Sequence, residues 1–162
     1  MTEQSPQQQF DIQRIYSRNI SLETPNTPTV FREMENPDIA IQLNHEAVNL
    51  EGDIHEVRLR VTLTATYNEG KKTMFLAEVE QAGIFLLAGF TEEQLEHMKA
   101  AYCPNILFPY VREILDNLVV RASFPPVALA PINFDAIFAQ RQAQLKEEAN
   151  QSQSAETGNN KA

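Results

Sequence analysis

Between residues 57 and 67 every second side chain is apolar. Val57, Leu59, Val61, Leu63, Ala65 and Tyr67 alternate with Arg58, Arg60, Thr62, Thr64 and Thr66. A period of two sends successive side chains to opposite faces, so this run predicts a strand with one dry and one wet face. Asn68-Glu69-Gly70-Lys71 has turn chemistry, and residues 73–87 alternate again, which predicts a β-hairpin. Two more runs precede it. Phe10, Ile12, Tyr16, Ile20 and Leu22 share one parity over residues 10–23. Ile39, Ile41 and Leu43 alternate after a loop carrying Pro25, Pro28 and Pro37. The phase slips before Val48 and Leu50, which predicts a bulge there.

Near Gly89 the pattern turns helical. Thr91 with Gln94 reads as a capping box, and Phe90 with Leu95 as a hydrophobic staple. Pro104 is expected to stop that helix, with Asn105 capping the next and Pro109 in its first turn. Within residues 106–120, Leu107, Tyr110, Val111, Ile114, Leu115, Leu118 and Val119 cover much more than one narrow stripe. Such a helix must be covered from several sides. One sheet in a chain of 162 residues cannot supply that cover, so subunits are expected to pack through this helix. Pro125-Pro126 and Pro131 mark an extended link, and Asn133 opens a last helix with Phe134, Ile137 and Phe138 in its first turns. Residues 1–9 and 147–162 have almost nothing to bury and are expected to lie outside the fold, which leaves one domain over 10–146.

Charge limits the partners. The chain carries −9, and residues 10–138, with 10 basic and 18 acidic residues, hold −8 of it. Nucleic acid and anionic membrane both require a basic face, so neither is expected as a partner. The acidic body serves solubility or presents an electrostatic surface; both readings stand at this point. A single cysteine, Cys103, cannot form an internal disulfide and fits a reducing compartment. No apolar run approaches the roughly 18 residues of a membrane span, and the polar start lacks a signal-peptide pattern, so a cytosolic location is expected.

Catalytic constellations do not stand out. His45, His55 and His97 fall in different elements, away from Cys, Asp or Glu at ligand spacing, and read as surface histidines; no metal or cofactor is expected. Cys103 lacks a histidine or basic neighbour to activate it. The glycines form no phosphate loop, and Glu78 with Glu80 share a strand face rather than a dry cleft. The chain is not expected to be an enzyme. Two surfaces remain. Leu76, Glu78 and Glu80 share one parity, an acidic face with an apolar residue, while Phe75, Ala77, Val79 and Gln81 share the other. Val30, Phe31 and Met34 on the proline loop, the Ile39–Ile41–Leu43 alternation and the start of the last helix either staple the loop to the sheet or line a groove for apolar peptides.

Several segments resemble the SecB family of protein-export chaperones: Phe-Asp-Ile-Gln-Arg-Ile-Tyr at 10–16, Ile-Ser-Leu-Glu-Thr-Pro-Asn-Thr-Pro at 20–28 and Tyr-Cys-Pro-Asn-Ile-Leu-Phe-Pro-Tyr at 102–110. Ser-Phe-Pro at 123–125 and Ala-Pro-Ile-Asn-Phe-Asp at 130–135 follow in the same order. The resemblance implies an α+β fold, a four-stranded antiparallel sheet followed by helices, assembled as a homotetramer, a dimer of dimers packed through helices. It implies an ATP-independent holdase that binds unfolded preproteins and delivers them to SecA. Carried over, SecA docking falls on Asn19, Glu23, Leu76 and Glu78, where relatives can carry an acid at the Asn19 position. The peptide groove falls on Phe31, Ile39, Ile41, Leu43 and Phe138, with Glu35 where some relatives have tryptophan. Ala77, Val79 and Gln81 fall at a subunit interface, to which the broad apolar helix adds Tyr110, Ile114 and Leu118. The rival functions are a regulatory or small-ligand module using the same groove, and a hydrolase without a recognisable motif. Suppression of aggregation without ATP separates a holdase from both.

Overall fold

A computed structural model describes residues 6–33 and 35–158. Residues 1–5, Met34 and 159–162 lie outside the described residues. Four strands form one antiparallel sheet in the order β1-β4-β3-β2: β1 (Gln9–Glu23), β2 (Asp38–Glu51), β3 (Ile54–Tyr67) and β4 (Lys72–Ala88). The alternating run and its partner are the two central strands. They are joined through Asn68, Glu69 and Gly70, all at positive φ, with the Lys71 amide donating to the Asn68 carbonyl at 3.1 Å.

β1 and β2 occupy opposite edges, so residues 24–37 must cross the sheet, a span of about 14 Å for three inter-strand steps. The short helix α1 (Val30–Glu33) lies in that crossing. Val30 is fully buried and anchors the loop in the core, and the Asn26 side-chain amide donates to the Thr73 carbonyl at 2.8 Å.

The parity expected for β1 fails at one residue, for a physical reason. Register shifts between Ile12 and Arg14 and between Ser17 and Asn19 each insert an extra residue. The first shift inverts the alternation and the second restores it. Phe10 and Ile12 therefore share a face with Ile20 and Leu22, but between the bulges Ile15 takes that face and Tyr16 points to the other. In β2 the irregularity falls after Asn49 rather than before Val48, so Val48 stays in phase, opposite Glu56 on the outer face.

The strand-to-helix switch occurs at Gly89. Its φ of +73° is left-handed, and a Cβ there would stand 2.6 Å from the Gln7 carbonyl oxygen. Thr91 then caps helix α2 (Glu92–His97) with a complete capping box. Pro104 does not stop this helix. A π-helical segment, Met98–Tyr102, carries the chain without a break into α3 (Cys103–Arg121), and the Cys103 amide bonds to Met98 five residues back. The wider turn falls where proline, which has no amide hydrogen, would disrupt a regular α-helical ladder. Pro109 consequently lies in the interior of α3 rather than in a first turn.

Leu107, Val111, Leu115 and Val119 of α3 are fully buried, packed on β4 and β3 over Phe75, Ala77, Val79, Val61 and Leu63. That layer is the core. The last helix, α4 (Phe134–Gly158), starts where expected, with the Asn133 side chain accepting from the Ala136 amide at 3.0 Å. Helix continues over residues 147–158, where composition predicted chain outside the fold. Gln, Glu and Ala there favour helix locally, while residues 147–154 stay exposed because they offer nothing to bury. At the other end, residues 6–9 also have defined places: Gln9 pairs with Ala88, and the Gln8 side chain donates to that of Gln94 at 2.9 Å. His55 is a buried residue rather than a surface one, held between Asn49 Nδ2 and the Asp53 carbonyl, each at 3.2 Å.

Candidate functional site

Helix α3 covers β4 and β3 but not the edge strand β2. By register, Ile39, Ile41 and Leu43 lie opposite Ala65, Leu63 and Val61, on the helix side of the sheet. Ile39 and Ile41 are nonetheless 37% and 46% exposed, because no element lies over them. Four residues of strand make this apolar stripe about 13 Å long.

Each end of the stripe opens into a cleft. At one end a cleft of about 980 Å³ is lined by Glu35, Pro37, Ile39, Phe75, Phe124 and Val127. Phe31 stacks on Phe124 beside it, with ring centroids 5.3 Å apart, and Phe124 packs at the same distance on Phe75. At the other end a small cavity of about 110 Å³ is lined by Leu43, His45, Phe134, Ile137, Phe138 and Arg141. The five residues that the resemblance assigns to a peptide groove thus run from the crossing loop (Phe31), along β2 (Ile39, Ile41 and Leu43), to the first turns of α4 (Phe138). Within the crossing loop Val30 is fully buried and staples it to the sheet, while Phe31 stays 41% exposed. Phe124 was missed by the sequence argument. Its signal was its place between a helix end and the Pro125-Pro126 pair.

His45 follows Leu43 on the same side of β2 and lines the small cavity with Phe138 and Arg141 of α4. Burial, and then the nearby Arg141 guanidinium, hold its pKa below the usual histidine value. At neutral pH that end of the cavity therefore presents an uncharged ring.

The opposite face of the sheet is polar. Asn19 and Glu23 of β1 lie opposite Glu80 and Leu76 of β4, with Glu78 between them, so the four residues expected at a docking surface form one patch. The Asn19 side chain donates to Glu78 Oε1 at 3.5 Å, and Thr62 Oγ1 donates to Glu78 Oε2 at 3.0 Å. Glu80, by contrast, is only 8% exposed and is claimed by Arg60, whose Nε lies 2.8 Å away, and by Arg18 at 3.5 Å. Glu56 is likewise enclosed by Tyr16, Arg18 and Arg58. Burial, the largest influence on its carboxyl, favours the neutral form. The hydrogen bonds from Tyr16 and Arg58, with the charges of Arg58 and Arg18, outweigh burial and hold the Glu56 pKa below its ordinary value. Burial, then the bond to Glu56, pushes the Tyr16 hydroxyl up to about 12. The face is thus a mosaic in which Glu78 and Glu23 retain the more accessible negative charge. The network escaped the sequence argument because it depends on the β1 bulge that brings Tyr16 to this side.

The residues expected at a subunit interface separate into two groups. Tyr110 is 47% exposed, and Ile114 and Leu118 are partly buried on the flank of α3. Ala77 and Val79 have no exposed surface and Gln81 only 3%, because the protomer's own helical layer covers that parity of β4. Their side chains are core rather than surface, so any effect on assembly must pass through the seating of α3. Cys103 is also fully buried, and burial pushes its thiol up to about 12, which makes it inert as a nucleophile.

The sequence profile of the family described as "Preprotein translocase subunit SecB" matches residues 3–145. The protein-export protein SecB of Pseudomonas fluorescens is 51% identical over 140 residues, covering 86% of this chain and 87% of its own. That of Pseudomonas syringae pv. tomato is 50% identical over 139 residues, covering 86% and 84%. The chain belongs to the SecB family. A chaperone role in protein export comes with that membership, and the family is one of chaperones, not enzymes. Among solved structures, the SecB-like chaperone Rv1957 of Mycobacterium tuberculosis, in complex with a ChAD peptide from the Rv1956 HigA1 antitoxin, superposes with a TM-score of 0.58. It is 21% identical and covers 76% of this chain and 90% of that one, which shows the shared fold. No helix among the described residues is long and apolar enough to cross a membrane.

Proposed function

We propose that the apolar stripe on β2, with the clefts at its two ends, is the surface on which the chaperone holds unfolded preproteins in the cytoplasm. The observation that carries this reading is the exposure of Ile39 and Ile41, between two clefts, on a face whose two central strands are buried. A holdase must select unfolded chains of many sequences. A stripe of aliphatic and aromatic side chains reads what folded proteins hide, and each buried side chain contributes about 1.5–3 kcal/mol. Binding needs no nucleotide. Several grooves on a homotetramer, a dimer of dimers packed through the flank of α3, would turn such weak contacts into tight capture of a long chain.

On the opposite face, Glu23, Leu76 and Glu78, with Asn19 beside Glu78, form the docking patch for SecA, which receives the preprotein. Accessible carboxylates around one apolar side chain suit a basic partner surface with a small apolar contact. The two faces belong to the same sheet, so client and SecA can be bound at once.

The roles separate by mutation. Leu43→Ala with Phe138→Ala is expected to lower affinity for an unfolded protein at least tenfold and to abolish suppression of its aggregation without ATP, leaving SecA affinity unchanged. Equal loss of both would refute the groove assignment. Glu78→Lys is expected to weaken SecA binding, the more so at low salt, with client binding intact; an unchanged SecA affinity would refute the docking patch.

A further inference from the structure

Helix α4 is 25 residues long, about 37 Å at 1.5 Å per residue, yet its seat is confined to its beginning. Phe134 is buried, its ring edge-on to Phe108 at 5.8 Å, and Phe138 and Gln142 are partly buried. Residues 143–154 are exposed. A long helix held at one end takes its angle from few contacts, and the wall of the groove at Phe138 moves with it. One residue of another element touches both Phe138 and the nearby Asp135. His97, the last residue of α2, places Nε2 2.6 Å from Asp135 Oδ1 and sets its ring edge-on to Phe138, with centroids 5.3 Å apart. The carboxylate can only accept, so the ring carries its proton on Nε2. Phe138 is thereby fixed between the client groove on one side and a cleft lined by Phe90, Gln94, His97 and Met98 on the other.

We propose that His97 is a positioning residue of the client-binding site: by donating to Asp135 and packing against Phe138 it sets the seat of α4, and with it the affinity for unfolded chains. This rests on the groove reading above. The ring is 42% exposed and the carboxylate 75%, so the pair contributes little to global stability. Its effect is local, on a helix with few other anchors.

The test uses a reduced and alkylated protein that cannot refold as the client, with four variants of the full chain. His97→Ala and Asp135→Ala are each expected to weaken client binding roughly fivefold, mainly through faster release, with an unchanged Tm. They should also speed amide hydrogen exchange in residues 136–142. His97→Gln, which keeps a donor near the Nε2 position, is expected to restore most of the affinity lost in His97→Ala and the slow exchange. Phe138→Ala reports on the groove itself. Weakened binding by Phe138→Ala but not by His97→Ala overturns the positioning role and leaves the groove standing. An unchanged affinity in Phe138→Ala removes the groove reading and this inference with it. Equal weakening in His97→Ala and His97→Gln, with exchange unaltered, also overturns it.

Discussion

Glu56 illustrates how a side chain can be acidic in composition and yet unavailable to a partner. It is buried on the outer face of the sheet, and Tyr16, Arg18 and Arg58 surround it. Because its folded-state pKa is lowered, its stabilising contribution is complete above the ordinary carboxylate value of about 4.3 and is lost as pH falls through the lower folded value. Glu56→Gln is therefore expected to cost about 1–2 kcal/mol near neutral pH and to flatten the fall of Tm on acidification. Thermal unfolding from pH 7 down to pH 3 checks this; parallel curves for the two proteins would assign the acid sensitivity to other carboxylates. The same residue explains a limit of reading charge from sequence. Glu78 and Glu80 have the same parity and spacing, but Arg60 and Arg18 bind Glu80 closely, while Glu78 is the more accessible.

At the scale of elements, the helix start after β4 was legible because capping is local chemistry: Thr91 and Gln94 meet within one turn. The break expected at Pro104 was not real, because a π-helical turn absorbs the missing hydrogen bond and lets one long helix pass over the sheet. The inverted stretch of β1 was hidden for a related reason. A bulge is one extra residue, and nothing in 13–17 marks it until the strand is paired with β4. Gly89 joins the two halves of the chain. Gly89→Ala is expected to destabilise by about 1–2 kcal/mol, since a side chain there meets both an unfavourable φ and the Gln7 carbonyl. The midpoint of urea unfolding measures it; an unshifted midpoint would show that the terminal strand yields without cost.

For the whole molecule, the unequal coverage of the sheet decides which apolar side chains stay exposed. One long helix over a four-stranded sheet covers the two central strands and leaves apolar side chains of both edge strands exposed on the helix side, Ile39 and Ile41 of β2 and Ile12 and Ile20 of β1. The same helix exceeds what its own sheet can cover, which leaves Tyr110 exposed and Ile114 partly so on its flank. If that flank joins subunits, Ile114→Asp should lower the mass measured by sedimentation to that of a smaller assembly, while far-UV circular dichroism keeps its shape. An unchanged mass would move the interface elsewhere.

The sequence by itself determined the central hairpin, the helix starts at Thr91 and Asn133 and the likeness to its family, because alternation, capping and motif order are carried by neighbouring residues. Through that likeness it also pointed to the five residues proposed to line the groove. Only the tertiary structure decided which apolar residues stay uncovered. Ile41 and Leu63 are both apolar and directly opposite in the sheet, yet Leu63 is fully buried and Ile41 nearly half exposed. The difference is the reach of α3, a packing property that no local pattern encodes.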